Sequence, residues 1–326
     1  MKNFNILFTS AGRRVELIKS FQQALVTLNL QSKIIVADCQ SNISSAYVAD
    51  DYEPVPRINH PFYIEKLKSI CRKHDIKLVI PLIDPELYLL SLHRESFAEL
   101  GVTLLVCTPE TNDICFDKRK TATFFQQIGV QTPTIFTPET ILKDINAPYP
   151  FLIKPANGSC SQGVTVVNDA KELAFFKDYI PNAIVQELLT GKEYTLDILL
   201  DFTGQVKCVV PRLRMETRAG EISKGITVKN WDIIAAGKKV ASALPGAIGC
   251  ITIQCFQLPN NEIIFIEINP RFGGGIPLSI KAGANYPQWI LRMLLQQDLS
   301  IEIDDWQEGV IMLRHDESIF IKSKSI

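Results

Sequence analysis

The 326 residues hold no Cys-x-x-Cys pair, only four histidines without zinc-ligand spacing, and no apolar run long enough to span a bilayer. These absences exclude a zinc ribbon, a dithiol redox motif and an integral membrane protein. The eight cysteines are scattered, several of them in strand-like apolar runs, and read as reduced core thiols, so a cytoplasmic location is expected. The apolar run after Lys2 is broken by Thr9-Ser10 and Arg13-Arg14, which makes it too short for a secretory leader. Charge of one sign is also missing. Lys plus Arg number 34 against 35 Asp plus Glu, and the formal net charge of -1 removes the electrostatic case for nucleic acid. Small molecules are the expected partners, with a homodimer allowed. No internal repeat or low-complexity tract stands out, and the closing Lys-Ser-Lys-Ser-Ile reads as a frayed tail. What is present is a 46% hydrophobic content, enough for a large core divided over two or three lobes.

The first hundred residues alternate strand and helix signals: strands at 5–9, 34–38, 77–81 and 102–107, helices at 15–28, 61–73 and 85–100. Apolar strands separated by helices predict an α/β lobe with a parallel, Rossmann-like sheet and a ligand crevice at the carboxyl ends of its strands. Those ends offer Ser10-Ala11-Gly12-Arg13-Arg14, Asp38, and Asp84 with Glu86. A dinucleotide site is rejected because the Gly-x-Gly-x-x-Gly turn that lets a pyrophosphate approach the backbone is absent.

A different pattern begins near 113. Asp117-Lys118 opens a helix, and Pro150 to Pro155 forms a β run ending in Lys154. Next comes Asn157-Gly158-Ser159-Cys160-Ser161-Gln162-Gly163 and a second run, 164–167. Gly158 to Gly163 has Walker A spacing, yet Val164 stands where that motif needs lysine, and a strand follows instead of a helix. Strand, glycine loop, strand suits a phosphate lid in which Gly158, Ser159, Ser161 and Gly163 supply backbone N–H groups over charge from Lys154, although a plain hairpin reads the same way.

Farther on, two alternating runs at 251–258 and 263–269 flank Pro259-Asn260-Asn261-Glu262 and predict a hairpin. With Asn260 and Asn261 as a type I′ turn, Gln254 stands opposite Glu267, while Ile263, Phe265, Glu267 and Asn269 share one face. Gln254, Glu267 and Asn269 then present hard oxygen ligands beside Arg271, a set sufficient for magnesium that completes its octahedron with water and phosphate. Upstream lies Pro211 to Glu221, expected as a polar loop whose Arg212, Arg214 and Arg218 either neutralise phosphate or hold a substrate carboxylate. A zwitterionic substrate between those arginines and Asp84 with Glu86 is the accompanying expectation.

Gln254 followed by Glu267-Ile268-Asn269-Pro270-Arg271 resembles the metal-binding end of the ATP-grasp superfamily, in the variant found in the carbamoyl phosphate synthase large chain. The resemblance runs from about 117 to 287. It implies that Gln254, Glu267 and Asn269 hold two magnesium ions, for which manganese can substitute, and that Arg271 contacts the transferred phosphoryl group. It further implies that Lys118 reaches the nucleotide phosphates, that Gln186, Glu187, Leu188 and Leu189 line the adenine pocket, and that Glu193 takes the ribose hydroxyls. Only one such unit is present, so the synthase reaction itself is not implied. Expected domains are a Rossmann-like lobe over 1–112, a two-lobed ATP-grasp domain over 113–300, and a C-terminal segment with tail over 301–326. The expected activity is ATP- and magnesium-dependent joining of a carboxylate, such as an amino acid, to an amine or thiol through an acylphosphate. Lys154, Arg271 and Arg214 supply the catalytic charge. Phosphoryl transfer without ligation and nucleotide-binding regulation without catalysis remain the alternatives.

Overall fold

The computed structural model describes residues 4–158, 163–297, 299 and 305–322. Ser159, Ser161 and the final four residues, on which sequence expectations were placed, lie outside them. The first lobe runs β1 (Asn5–Thr9), α1 (Val15–Thr27), β2 (Ile34–Asp38), β3 (Asp51–Pro54), α2 (Tyr63–Lys73), β4 (Ile76–Pro81), α3 (Asp84–Ser91), α4 (Arg94–Ala98) and β5 (Thr103–Leu104). The five strands form one sheet in the order β3-β2-β1-β4-β5, with parallel pairings throughout. Alternate residues of β1 feed two separate cores, Ile6 and Phe8 on one face and Leu7 on the other, as a sheet covered on both sides requires. Strand order reverses beside β1, so the turns after β1 and β4 diverge there. That opening is where an α/β sheet leaves room for a ligand, and it carries Arg14 and Asp84.

Three local expectations for this lobe need correction. The 85–100 helix is two helices, α3 and α4, and the Oγ atoms of Ser91 and Ser96 donate to the carbonyls of Tyr88 and His93, bonds that compete with helix continuation at the break. Of 102–107 only Thr103–Leu104 is strand. The edge strand β3 was not foreseen, because Asp-Tyr-Glu-Pro has none of the β-branched signal of a central strand.

The second part continues with α5 (Pro109–Phe116), α6 (Lys118–Gln127), β6 (Ile135–Phe136), α7 (Pro138–Lys143), β7 (Phe151–Pro155), β8 (Thr165–Val167), α8 (Ala170–Tyr179) and β9 (Ala183–Glu187). Strands β6-β9-β7-β8 make a small antiparallel sheet packed on α7 and α8 through Ile141, Phe151, Ile153, Val167, Leu173, Ile180 and Val185. The large sheet adds β10 (Lys192–Leu200), β11 (Val206–Arg218), β12 (Glu221–Thr227), α9 (Trp231–Ala243), β13 (Gly249–Gln257), β14 (Ile263–Asn269), α10 (Ile276–Lys281), α11 (Tyr286–Leu294) and β15 (Ile311–Leu313). Its order is β14-β13-β10-β11-β12-β15. One face buries Leu196, Ile198, Val209, Ile251 and Ile253 with Ile233 and Val240 of α9. A methyl group at Gly237 would collide with Leu196, so glycine lets α9 lie close to β10. The fold class is thus α/β: a parallel Rossmann-like lobe followed by two antiparallel sheets. Among the described residues no helix is long and apolar enough to cross a membrane.

One further expectation is revised here. Residues 211–218 are not a loop, because β11 runs through them to Arg218, with Arg212 and Arg214 on alternate positions of one face. The segment placed at 301–326 also contributes a strand to the large sheet, because β15 pairs with β12.

Candidate active site between two sheets

The hairpin β13–β14 delivers the oxygen ligands, by a route other than the one expected. Leu258 N–H donates to Glu262 O, and of the two asparagines only Asn261 has positive φ, 68°. The loop therefore spans three residues, ending in a left-handed one, and is not the two-residue type I′ turn. Taken alone, that shifts the register by one. A bulge between Phe265 and Glu267 shifts it back, and Gln254 pairs with Glu267 as expected. The bulge also reverses the side-chain alternation. Phe265 packs against Phe125 in the core with Ile268, so the expectation that Ile263 and Phe265 share the face of Glu267 and Asn269 is incorrect.

The opposite face of the large sheet is polar. In β10–β11–β13–β14 register, Glu193, Thr195 and Asp197 lie beside Arg212, Arg214, Thr252, Gln254, Glu267 and Asn269. Asn269 Nδ2 donates to Glu267 Oε1 at 2.8 Å, leaving the amide oxygen to accept from Arg271 at 3.2 Å. Arg271 also donates to Asp84 Oδ2 at 2.6 Å, joining the first lobe to the hairpin end. Glu267 and Asn269 separate two small cavities. One is lined by Asp84, Lys118 and Gly158, the other by Arg14, Arg212, Arg214, Gln254, Arg271 and the glycines 273–275.

Lys154 reaches this polar face from the small sheet. Its side chain is 6% exposed and makes no hydrogen bond or ion pair among the described residues. Burial pulls its pKa down to about 8, Glu267 acts against that, and Lys118 adds to it. A buried lysine with no bonded anion fits an anionic ligand, since desolvating the charge costs free energy that a phosphate would offset. Lys118 Nζ is bonded to Gly158 O at 2.9 Å, at the entry to the loop expected to cover phosphate. Gly158 and Gly163 both have positive φ, 119° and 70°.

The expected adenine segment lies where the chain leaves the small sheet at β9 and enters the large one at β10. Gln186 is buried between β6 and β7, Glu187 accepts from Thr134 N–H at 3.0 Å, and Leu188 is exposed. Glu193 faces the site, ion-paired with Arg214 at 3.1 Å. Burial raises its pKa, Arg214 opposes this, and Glu267 reinforces it.

Several expected substrate residues are placed otherwise. Glu86 is wholly buried and bonded to Tyr63, Ser10 and Leu82 N–H, with its pKa raised by burial, so it braces the first lobe and does not meet a substrate. Arg218 points outward in an exposed pair with Asp316 and does not line either cavity. Arg212 is 1% exposed and held by Asp197 at 2.6 and 3.0 Å, while Asp197 also accepts from Ser279. It reinforces the cavity wall. Conversely Arg14 lines the arginine-rich cavity and Arg314 donates to Gly274 O beside it, and neither was assigned. The Arg13-Arg14 pair after Gly12 was visible as a charge at a strand end, but nothing in the sequence brings it beside Arg271.

Residues 115–275 match the ATP-grasp domain, and residues 6–105 match the PylC-like N-terminal domain. The carbamoyl phosphate synthase large chain of Campylobacter jejuni is 26% identical over 211 residues, covering 56% of this chain and 18% of that protein. A D-alanine–D-alanine ligase of Fusobacterium nucleatum is 24% identical over 169 residues, covering 49% and 58% respectively. The chain thus spans less than two thirds of the length of these relatives. In fold it is similar to biotin carboxylase from Campylobacter jejuni, with a TM-score of 0.74 and 16% identity over 93% of this chain and 74% of the other.

Proposed function

We propose that this chain, a member of the ATP-grasp family, is an ATP- and magnesium-dependent ligase that activates a small carboxylate as an acylphosphate and passes the acyl group to an amine. The observation that carries the reading is the meeting of Gln254, Glu267 and Asn269 with Lys154 and Arg271 between two sheets. The donor set consists of one carboxylate and two amides, hard oxygens that suit magnesium. When bound, the metal neutralises charge on the transferring phosphoryl group. Names of relatives support the reaction class, among them D-alanine–D-alanine ligase and 3-methyl-D-ornithine–L-lysine ligase.

In this reading Lys154 and Lys118 hold the nucleotide phosphates from the small-sheet side. The backbone at 186–189 receives adenine, and Glu193, oriented by Arg214, receives the ribose. A substrate carboxylate oxygen attacks the γ-phosphorus as its bond to the β-γ bridging oxygen breaks, releasing ADP. Arg271, fixed by Asp84 and Asn269, stabilises the charge on the phosphoryl oxygens in flight. The amine nitrogen then attacks the acyl carbon, the carbon–oxygen bond to phosphate breaks, and the amine loses its proton. No nucleophilic side chain is required. The deciding experiment is ADP release from ATP with magnesium against a panel of small carboxylates in the presence of hydroxylamine. Formation of the matching hydroxamate is expected, and ADP release that yields a stable phosphorylated product without hydroxamate would replace ligation by simple phosphoryl transfer.

A further inference from the structure

Four arginines line the cavity on the far side of Glu267 and Asn269 from Lys118, a fifth, Arg314, donates to Gly274 O at its rim, and their bonding separates them. Arg212 is held by Asp197, Arg214 by Glu193, Arg271 by Asp84, and Arg314 by Glu221 at 2.9 Å. The guanidinium of Arg14 makes no hydrogen bond or ion pair among the described residues, although the side chain lines the cavity. Its Nη1 lies against the glycine loop, 3.3 Å from where a Cβ on Gly274 would sit. Burial depresses its pKa to about 10, with Arg271 and Arg314 acting in the same direction and Glu221 and Asp84 against it. Arg14 thus stands at the Gly274 edge of the cavity, where a Cβ on Gly274 would also meet the Glu221 carboxylate at 3.4 Å.

We infer that Arg14 is a substrate-binding and specificity residue, and that the carboxylate substrate is a small dicarboxylate whose non-reacting carboxylate is bound by Arg14 while the other reacts beside Glu267, Asn269 and Arg271. A half-buried guanidinium with no bonded anion offers free donors to the cavity it lines, and a second carboxylate supplies two acceptor oxygens in the fork geometry that arginine matches. The space is small, about 80 Å³ against about 1130 Å³ for the cleft at the strand ends of the first lobe lined by Asp38, Arg57, His60 and His93. A short carbon chain suits the first. Because Arg14 comes from the turn after β1, the inference makes the first lobe a direct reader of the group to be activated. It rests on the ligase reading above and narrows its substrate.

The test uses the full chain with magnesium and a non-hydrolysable ATP analogue, titrated calorimetrically with succinate and glutarate and with butyrate and pentanoate as single-carboxylate controls. The dicarboxylate of best length should bind about tenfold or more tightly than its control, as a charge-assisted contact predicts. Arg14→Ala should abolish that preference and Arg14→Lys should retain part of it, with the analogue's affinity and the thermal midpoint close to those of the parent. Equal binding of the two acid classes, or a preference that survives Arg14→Ala, overturns the inference. Hydroxamate assays keep the two readings apart: hydroxamate from monocarboxylates alone sinks the dicarboxylate and leaves the ligase, whereas dicarboxylate binding without any hydroxamate sinks the ligase and leaves Arg14 as a binding residue.

Discussion

Lys154 gives the site a measurable proton linkage. Its pKa in the ligand-free protein falls from the ordinary 10.5 to about 8, chiefly because burial penalises the charged form. Only the protonated amine attracts phosphate, so binding of ATP must raise this pKa. The sign follows: above pH 8 the free protein lacks the proton that the complex needs, and nucleotide affinity falls as pH rises. If the complex holds the proton throughout, affinity drops about elevenfold between well below pH 8 and pH 9, and binding at pH 8.5 takes up about three quarters of a proton. At pH 7 the uptake falls to about one tenth. Calorimetric titration of the ATP analogue in buffers of different ionisation enthalpy reads this number directly. Lys154→Met keeps the length of the stem but removes the charge, so the pH dependence should vanish along with a large part of the affinity. An uptake near zero at pH 8.5, with affinity flat from pH 7 to 9, would falsify the assignment of Lys154 to the phosphates.

Further outcomes follow from the same geometry. Glu267→Gln should reduce magnesium-dependent turnover at least a hundredfold without loss of fold, checked by ADP release and circular dichroism; near-parental turnover removes the metal assignment. Arg214→Ala should raise the Michaelis constant for ATP about tenfold by releasing Glu193, and an effect confined to the acyl substrate would return Arg214 to the substrate role. The nucleotide product should be ADP with phosphate, and stoichiometric AMP with pyrophosphate on chromatography would contradict acylphosphate chemistry altogether.

Legibility in the sequence followed the range of the interactions concerned. Alternation and spacing are local, so β1, β2, α1 and the two hairpin strands could be read from residue types alone. Gln254 opposite Glu267 was foreseen from a two-residue turn, yet it arises from a three-residue turn and a bulge that cancel each other. The pairing was insensitive to that difference, whereas the facing of Phe265 was not. Partner choice by a charged side chain is not local at all. Glu86 and Asp84 stand two residues apart, and only the fold directs one into the first lobe and the other across to Arg271, 187 positions away. The arginines show the same effect: Arg212 and Arg14 are equally charged in sequence, and the strand carrying Asp197 occupies the former while leaving the latter with no bonded anion. Ligand preference therefore depends less on which charged residues are present than on which of them the fold leaves without a partner, and that selection is made by contacts between lobes that no local pattern encodes.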